Sequence, residues 1–366
     1  MDDVRNRFQT LHEIVAAARL NLSTHLWNYV IGATATETTA KRNRLALDRL
    51  AFMPHVLNDV EHVDPSGSFF GQKIRIPVTI APVGGLDQLG RGGGVTVAKG
   101  AGMAGIPFLV SSVTDVPLEQ TAAAATGPKV FQLYVRGDEA FVDDHISRAM
   151  AAGYDAFCIT VDSALYSRRE RDITNRFTKP WRAANTGMNF QASLSWKDIE
   201  RVRTKFPDVK LILKGIEAQA DAVRACDLGV SVVYVSNHGG RQLDHGVGSI
   251  DVLPDIVEAV EGQAQVWVDG GICRGSDVVK AVALGADLVG IGRLYCYGYA
   301  AAGAEGIARV IELLEIEIIE TLGLLGLTSF KGLDRSYLRA VESVTPPSTL
   351  SAFPLLNLDA ASDRPA

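Results

Sequence analysis

The sequence predicts a (β/α)8 barrel, because short apolar runs alternate with helical patterns along most of its length. A strand buried on both faces reads as a continuous apolar run, and regular alternation with helices is typical of a parallel sheet. Eight repeats favour a closed barrel over the alternative, a doubly wound open sheet. The predicted strands are Ile76–Val83, Pro107–Ser112, Lys129–Val135, Ala156–Ser163, Lys210–Gly215, Val232–Gly239, Gln265–Gly271 and Leu288–Arg293.

The segments between these runs are rich in Ala, Glu and Leu, which favour helices. Residues 1–75 precede the barrel as an N-terminal helical extension, in which Thr10–Ala18 and Ser23–Ile31 are predicted to be short helices that cover the barrel's bottom or rim. The helices predicted within the barrel are Val116–Ala125, Glu139–Ala152, Ser195–Lys205, Ala218–Asp227, Ile250–Val260 and Ser276–Leu284.

Two segments depart from the alternation. The connection 178–192 follows the fourth predicted strand and contains Pro180 and Gly187, so it is predicted to be a lid over the active face. Beyond Thr345, Pro, Ser and Asp accumulate, and 345–366 is predicted to be a C-terminal tail that is disordered in part. The barrel itself is expected to span 76–344.

Composition narrows the class of protein. The 366 residues are 47% hydrophobic and 21% charged, which is ordinary for a soluble enzyme with a large core. A net charge of −6 without a basic run argues against nucleic acid as a partner. No apolar run reaches membrane-spanning length, and the N-terminus lacks an apolar signal core. The four cysteines lie far apart, which argues against a metal site or disulfide scaffold and predicts a cytoplasmic protein.

The most informative stretch follows the sixth predicted strand and contains His238, Gly239, Gly240 and Arg241. Active sites of (β/α)8 barrels form at the carboxyl ends of the strands. Here that end offers a proton acceptor, backbone that a flat ligand can approach closely, and a fixed cation. The alternative is a polar turn with a surface histidine, but the convergence of polar groups favours a catalytic loop.

Other strand ends carry polar residues as well. Gly270, Gly271 and Gly292 expose backbone N–H groups beside helix starts, and Arg274 and Arg293 add charge. This pattern predicts a phosphate site, with tight turns as the alternative. The remaining polar strand-end residues are Gln132, Tyr134, Thr160, Asp162, Arg168, Arg169, Lys214, Ser236 and Asp269.

The run 236–244, Ser-Asn-His-Gly-Gly-Arg-Gln-Leu-Asp, resembles the signature of the FMN-dependent 2-hydroxy acid oxidases and dehydrogenases, such as glycolate oxidase and lactate oxidase. The similarity extends from about Leu20 to about Leu338. The resemblance implies an FMN cofactor and oxidation of an (S)-2-hydroxy acid to a 2-oxo acid. It leaves open whether oxygen or another electron acceptor reoxidises the flavin, and it implies a homo-oligomer, a tetramer or an octamer.

The resemblance also implies roles for the polar residues. His238 removes the hydroxyl proton or, in the other debated mechanism, the α-proton; flavin N5 accepts the hydride, and Asp162 pairs with the resulting imidazolium. Asp162 could instead be a helix N-cap, and Lys214, which would lie beside the flavin, could instead form a rim salt bridge. Residues expected to hold the substrate are Arg169, Arg241, Tyr134 and Asn28. Residues expected to hold the cofactor are Tyr29, Val83, Gly84, Ser111, Gln132, Thr160, Lys214, Ser236, Asp269, Gly270, Gly271, Arg274, Gly292 and Arg293.

Among the positions that depart from the family pattern, three concern residues expected to bind the substrate or the cofactor. Asn28 stands where a tyrosine usually binds the substrate carboxylate, and Val83 replaces a threonine that hydrogen-bonds the flavin. Cys273 replaces an arginine of the phosphate motif Asp-Gly-Gly-x-Arg-Arg-Gly. These departures keep two alternatives open: an FMN enzyme acting on a non-standard substrate, and a catalytically silent barrel that binds a phosphate ligand.

Overall fold

The computed structural model describes residues 2–176 and 189–356. Eight parallel strands, β4 to β11, form a closed barrel in chain order, which confirms the predicted fold. The strands are β1 (Leu50–Phe52), β2 (Gly67–Phe69), β3 (Gln72–Ile74), β4 (Val78–Ile80), β5 (Phe108–Ser111), β6 (Lys129–Leu133), β7 (Ala156–Thr160), β8 (Leu211–Ile216), β9 (Val232–Val235), β10 (Gln265–Val268), β11 (Leu288–Ile291) and β12 (Leu338–Ala340).

Helices surround the barrel, and each helix predicted from the sequence is present with ends shifted by a few residues. The described helices are α1 (Asp2–Arg7), α2 (Leu11–Asn21), α3 (Thr24–Ile31), α4 (Thr38–Asp48), α5 (Leu86–Leu89), α6 (Gly93–Ala104), α7 (Leu118–Ala124), α8 (Glu139–Ala151), α9 (Glu170–Thr174), α10 (Phe190–Ser193), α11 (Trp196–Lys205), α12 (Gln219–Asp227), α13 (Ser249–Val260), α14 (Gly275–Ala283) and α15 (Arg293–Leu324). None of the helices in 2–176 and 189–356 is long and apolar enough to cross a membrane.

The barrel interior is a packed core that is closed at its amino end. The β2–β3 hairpin brings Phe69 to 5.8 Å from the Trp267 ring, and Gly67 contacts Pro77 just before β4. The Tyr234 hydroxyl fills the space where a side chain at position 290 would lie, so Gly290 is required there. A filled interior leaves the carboxyl ends of the strands as the place for a ligand cavity.

The N-terminal helices contribute to the rim at this carboxyl end. In α4, Asn43 exchanges hydrogen bonds of 2.7 and 2.8 Å with Asn237, which follows β9. Arg44 binds the buried Asp277 of α14 at 2.7 and 2.8 Å and donates to the Gly271 carbonyl at 3.0 Å. Strand β1 pairs with β12 and ties the extension to the end of the barrel sequence. The predicted division of the chain into an N-terminal extension ending at residue 75, a barrel ending at residue 344 and a tail stays a prediction.

The predicted lid and tail are described only in part. Residues 178–188 of the lid lie outside the described residues; in the remainder, Gln191 accepts a hydrogen bond from the Val135 amide and donates to the Thr160 carbonyl. Residues 345–356 of the tail are described, and Phe353 within them is buried against the rings of His12 and Tyr297. Residues 357–366 lie outside the described part, so the disorder expected there stays a prediction.

Candidate active site

A cavity of about 370 Å³ opens at the carboxyl end of the barrel. Most of the residues predicted from the sequence line it. These are Tyr29, Val83, Gly84, Tyr134, Arg169, Lys214, His238, Arg241, Asp269, Gly270, Gly271, Gly292 and Arg293. The other predicted polar residues do not line the cavity. Asp162 is hydrogen-bonded to the lining residue His238. The remaining ones are buried polar residues, namely Ser111, Gln132, Thr160 and Ser236.

The loop after β9 places His238 in an unusual backbone conformation. Its φ of 59° lies in the left-handed region, where non-glycine residues are uncommon. The neighbouring Gly240 also has a positive φ, and a Cβ there would lie 2.7 Å from the Ala40 Cα. Asn237 fixes the loop by accepting from the Gly240 amide at 3.1 Å. Local strain held by surrounding contacts is typical of functional loops.

The imidazole of His238 is held at both of its nitrogens. Nδ1 lies 3.0 Å from Asp162 Oδ1, and Nε2 lies 3.1 Å from the Tyr134 hydroxyl. Because an ionised carboxylate can only accept, Nδ1 carries the proton and the Nε2 lone pair of the neutral ring faces Tyr134. Burial and the charge of Asp162 raise the pKa of Tyr134 well above its usual value, so its hydroxyl stays protonated. Nε2 is therefore the acceptor nitrogen of the ring, and in this structure the Tyr134 hydroxyl is its partner.

Lys214 belongs to a buried network at the barrel's carboxyl end. Its Nζ lies 2.6 Å from Ser236 Oγ and 2.7 Å from Asp269 Oδ2, and Ser236 donates to Asp269 at 2.6 Å. Both side chains of the ion pair are almost inaccessible to solvent. The network fixes an ammonium group on the cavity wall, where it can stabilise negative charge on a ligand.

Two arginines lie together on another part of the wall. Arg241 donates to the Tyr29 and Gly32 carbonyls at 2.8 and 2.7 Å and lies over the Tyr29 ring. Burial and the neighbouring Arg241 lower the pKa of Arg169. Within the described residues, neither guanidinium forms an ion pair with a carboxylate. Two adjacent cations that lack a carboxylate partner make this wall suited to an anionic ligand.

Arg293, the first residue of α15, marks a second position suited to an anionic group. It donates only to backbone carbonyls, those of Val30, Gly239 and Gly32, at 2.9 to 3.1 Å. Burial and the charge of Arg241 lower its pKa to about 10. Gly270, Gly271 and Gly292 line the cavity beside it. Backbone amides, a helix N-terminus and an arginine with no carboxylate partner among the described residues suit a phosphate.

Two predicted site residues are not brought to this cavity. The half-buried Asn28 precedes Tyr29 on α3, and successive helix residues point about 100° apart, so it is Tyr29 that faces the cavity. The Tyr29 hydroxyl donates to the Gly84 carbonyl at 2.8 Å. Arg274 turns away to form an ion pair with Glu317. A residue-type pattern cannot reveal that orientation, because Glu317 lies 43 positions further along the chain.

Several lining residues escaped sequence reasoning. Arg44 and Asn43 come from the N-terminal extension, and Ser348 and Thr349 come from the predicted tail. Arg136 follows Tyr134 by two positions, and this spacing could have indicated a side chain on the same side of the strand end. The others carried no motif that links them to the barrel.

The fold and the site together define a (β/α)8 barrel with a ligand cavity at the carboxyl ends of its strands, where His238 lies near a group of arginines and glycines suited to anions. A family model described as FMN-dependent dehydrogenase matches residues 18–340. An L-lactate oxidase from Nostoc sp. is 36% identical over 355 residues, covering 90% of this chain and 97% of the relative. A 4-hydroxymandelate oxidase from Amycolatopsis orientalis is 38% identical over 344 residues, covering 88% and 96%. A substituted mandelate oxidase solved with a C4a-OH-FMN adduct has a TM-score of 0.83 and 38% identity, covering 91% and 99%.

The chain therefore belongs to the FMN-dependent dehydrogenase family and is an FMN-dependent 2-hydroxy acid oxidase or dehydrogenase. The residues present fit the cofactor. Gln132 is buried, and its Oε1 lacks a hydrogen-bond partner among the described residues, as expected for a group that awaits a ligand. Arg293 and the adjacent glycines fit the FMN phosphate. No cluster of three or more potential metal ligands occurs in the described part of the chain.

Proposed function

We propose that the protein oxidises an (S)-2-hydroxy acid to the 2-oxo acid, with His238 as the base. The observation that carries the proposal is the position of His238 on the cavity wall, with Asp162 at Nδ1 and the Tyr134 hydroxyl at Nε2. A neutral imidazole in this position can accept the substrate hydroxyl proton, and the Asp162 carboxylate stabilises the resulting imidazolium. FMN, when bound, takes up the two electrons and the remaining hydrogen from the α-carbon.

The substrate carboxylate is proposed to bind at Arg169 and Arg241. Both guanidinium groups lie on the cavity wall near His238, and guanidinium groups bind carboxylates in a bidentate geometry. Tyr29, which the sequence assigns to the cofactor, lies on the cavity wall, whereas Asn28 does not line the cavity; Tyr29 is therefore proposed as a further contact to the substrate. Tyr134 lies on the other side of His238, where it can hydrogen-bond the substrate oxygen.

The flavin ring is proposed to be surrounded by polar side chains and by main chain. These are the side chains of Lys214, Gln132, Thr160, Ser111 and Ser236 and the main chain at Val83 and Gly84. The fixed ammonium of Lys214 can stabilise negative charge on a reduced flavin. Asp269 holds that ammonium in place at 2.7 Å. The phosphate is proposed to bind at Gly270, Gly271, Gly292 and Arg293.

Finer properties stay predictions. A cytoplasmic location is supported by four cysteines that are all free. A homotetramer or octamer rests on the family resemblance alone. The relatives include an oxidase and dehydrogenases, so oxygen and another electron acceptor both remain candidates.

Anaerobic bleaching of the flavin tests the proposed function. The purified holoenzyme is mixed with (S)-lactate, glycolate, (S)-mandelate and the (R)-enantiomers, and the oxidised flavin band is followed. The proposal expects bleaching by at least one (S)-acid and the matching 2-oxo acid as product. A flavin that stays oxidised with every 2-hydroxy acid would reject it, and bleaching by only (R)-acids would reject the stereochemistry.

A further inference from the structure

We propose that the C-terminal segment Ser348–Phe353 forms the outer wall of the FMN phosphate site, with the hydroxyls of Ser348 and Thr349 as phosphate donors. Both residues line the same cavity as Gly271, Cys273 and Arg293. They come from a part of the sequence that carries none of the family motifs. The inference concerns retention of the cofactor and does not depend on the identity of the substrate.

The path of the segment places it at the phosphate end of the cavity. The Ala352 carbonyl accepts a hydrogen bond of 3.4 Å from Arg274, the N-cap residue of α14. The Phe353 ring packs edge-on against Tyr297, in the first turns of α15, with ring centroids 6.4 Å apart. The segment therefore crosses the N-termini of the two helices that follow β10 and β11. These helix ends carry the positive potential that attracts a phosphate.

The hydroxyls of the segment have free hydrogen-bonding capacity. Ser348 Oγ accepts from the Leu350 amide at 3.2 Å, which leaves its own proton available to a phosphate oxygen. Thr349 is half-buried, and none of the described residues hydrogen-bonds its hydroxyl. The Ser351 hydroxyl, by contrast, already donates to the Ser348 carbonyl at 2.9 Å and closes the turn. Thr349 can therefore donate to a phosphate oxygen without loss of a hydrogen bond to another described residue.

The charge at this end of the cavity explains why extra donors are needed. Cys273 occupies the position of a family arginine, and burial raises the pKa of its thiol to about 11, so it is neutral at physiological pH. Arg44 is nearby, but Asp277 and Asp48 already neutralise it at 2.7 Å each. Arg274 is paired with Glu317. Of the three arginines Arg44, Arg274 and Arg293, only Arg293 has no carboxylate partner among the described residues, and hydroxyl donors offset the missing charge.

Phe353 anchors the segment. Its side chain is only 1% exposed and lies between the rings of His12 and Tyr297. Burial of this ring holds Ser348, which is exposed, and the half-buried Thr349 at the edge of the cavity. Release of the anchor should therefore loosen the cofactor without any change in the residues that surround His238.

The test compares FMN with riboflavin, which lacks the phosphate. Apoprotein is titrated with each flavin, and binding is followed by quenching of flavin fluorescence. The variants are Ser348→Ala, Thr349→Val, their combination, and Phe353→Ala. Thr345→Val is the matched control, because it removes an exposed hydroxyl of the same tail outside the cavity. Arg293→Ala is the positive control for loss of a phosphate contact.

The double variant should raise the FMN dissociation constant about 10- to 100-fold and leave the riboflavin constant unchanged. Phe353→Ala should increase the FMN dissociation rate, and Thr345→Val should change neither constant. An equal loss of affinity for both flavins would assign the segment a general structural role and overturn the proposal. An unchanged FMN constant in the double variant, with Arg293→Ala weakened, would also overturn it.

Discussion

Nδ1 of His238 lies 3.0 Å from Oδ1 of Asp162 across the barrel mouth, and a missing side chain on the strand between them makes this contact feasible. Asp162 follows β7, His238 follows β9, and Gly215 lies on β8 between them. A Cβ at position 215 would lie 2.6 Å from the Asp162 Cβ. Gly215 also has a φ of 112°, where the β8–β9 register shifts. The catalytic geometry therefore depends on a glycine outside the cavity lining.

Gly215→Ala should displace Asp162 and lower kcat, because the imidazolium loses its aligned carboxylate. We expect a fall of roughly 10- to 100-fold, since base catalysis as a whole contributes about 10² to 10⁴. Gly229→Ala is the control, because Gly229 has a φ of 68° but a Cβ added there would meet no atom closer than 3.8 Å. Steady-state kinetics report the misalignment of Asp162, and thermal unfolding reports the backbone strain caused by the substitution. A wild-type kcat in Gly215→Ala would contradict the role of this glycine.

His238→Asn should keep FMN bound and lose about 10² to 10⁴ in turnover. Asparagine is chosen because it tolerates the left-handed φ of 59° better than alanine does. His245→Asn is the matched control, since His245 has a φ of 58° and lies outside the cavity lining. Anaerobic reduction rates with the best substrate measure the effect. Equal rates in His238→Asn and wild type would exclude His238 as the base.

Tyr29→Phe should weaken substrate binding while Asn28→Ala should not. Arg241 lies over the Tyr29 ring on the cavity wall, and the Tyr29 hydroxyl, which donates to the Gly84 carbonyl, can turn its proton to a substrate carboxylate. Hydrogen bonds to charged groups contribute about 1.5–3 kcal/mol. We expect KM, or the dissociation constant of a 2-oxo acid product, to rise about 10-fold or more in Tyr29→Phe. The reverse pattern, with Asn28→Ala impaired and Tyr29→Phe normal, would restore Asn28 as the carboxylate contact.

Asp277→Asn should destabilise the fold by up to about 3–5 kcal/mol, because it removes the buried charge partner of the Arg44 guanidinium and leaves only the more exposed Asp48. Both side chains of this pair are at most 5% exposed. Asp251→Asn breaks the exposed ion pair with Arg49 and should cost only about 0–1 kcal/mol. Denaturant unfolding of the three proteins measures the difference. Similar decreases in the free energy of unfolding of the two variants would mean that burial does not determine how much the Arg44–Asp277 ion pair stabilises the fold.

Glu217→Gln should change how stability depends on pH. Burial, with Asp162 and Asp269 nearby, raises the pKa of Glu217 from 4.5 to about 7, so the folded protein holds this proton more tightly than the unfolded chain does. Its contribution to stability is therefore complete below about pH 4.5 and is lost as the pH rises through 7. The free energy of unfolding of the variant should match that of wild type at pH 4 and exceed it at pH 8, by at most about 3 kcal/mol and by less because the group is only half-buried.

Unfolding at both pH values checks this prediction, with Glu258→Gln on the exposed face of α13 as the control. A parallel pH dependence of wild type and Glu217→Gln would show that the group titrates alike in the folded and unfolded chain.

The barrel was predictable from the sequence because each strand is a short apolar run. The β6 run Lys129–Leu133 and the β7 run Ala156–Thr160 are found almost where the pattern predicts them. Loop residues such as His238 were predictable too, since strand ends converge in this fold. Helix α4 was missed because its polar sequence, Thr38–Asp48, has a buried face that binds other polar groups. Hydrophobic periodicity cannot reveal such a face.

The orientation of individual side chains was less predictable. Arg274 belongs to a phosphate motif by sequence, yet Glu317 draws its guanidinium away from the cavity. Asn28 and Tyr29 are adjacent, and only the rotation of α3 decides which of them faces the ligand. Thr349 lies in a segment rich in Pro and Ser, a composition that predicts disorder. The segment is held in place by one aromatic residue, Phe353, which packs against His12 and Tyr297. Each of these outcomes depends on a contact with a residue distant in sequence.

The Asn43–Asn237 pair joins positions 194 residues apart, and the Arg44–Asp277 pair joins positions 233 residues apart. Contacts with so large a separation form late, because a long loop must close before they contribute. During synthesis, α4 leaves the ribosome well before β9 and β10 are made. The rim cannot be completed before residue 277 has been made, so competence to bind the cofactor arises only after most of the chain has been translated.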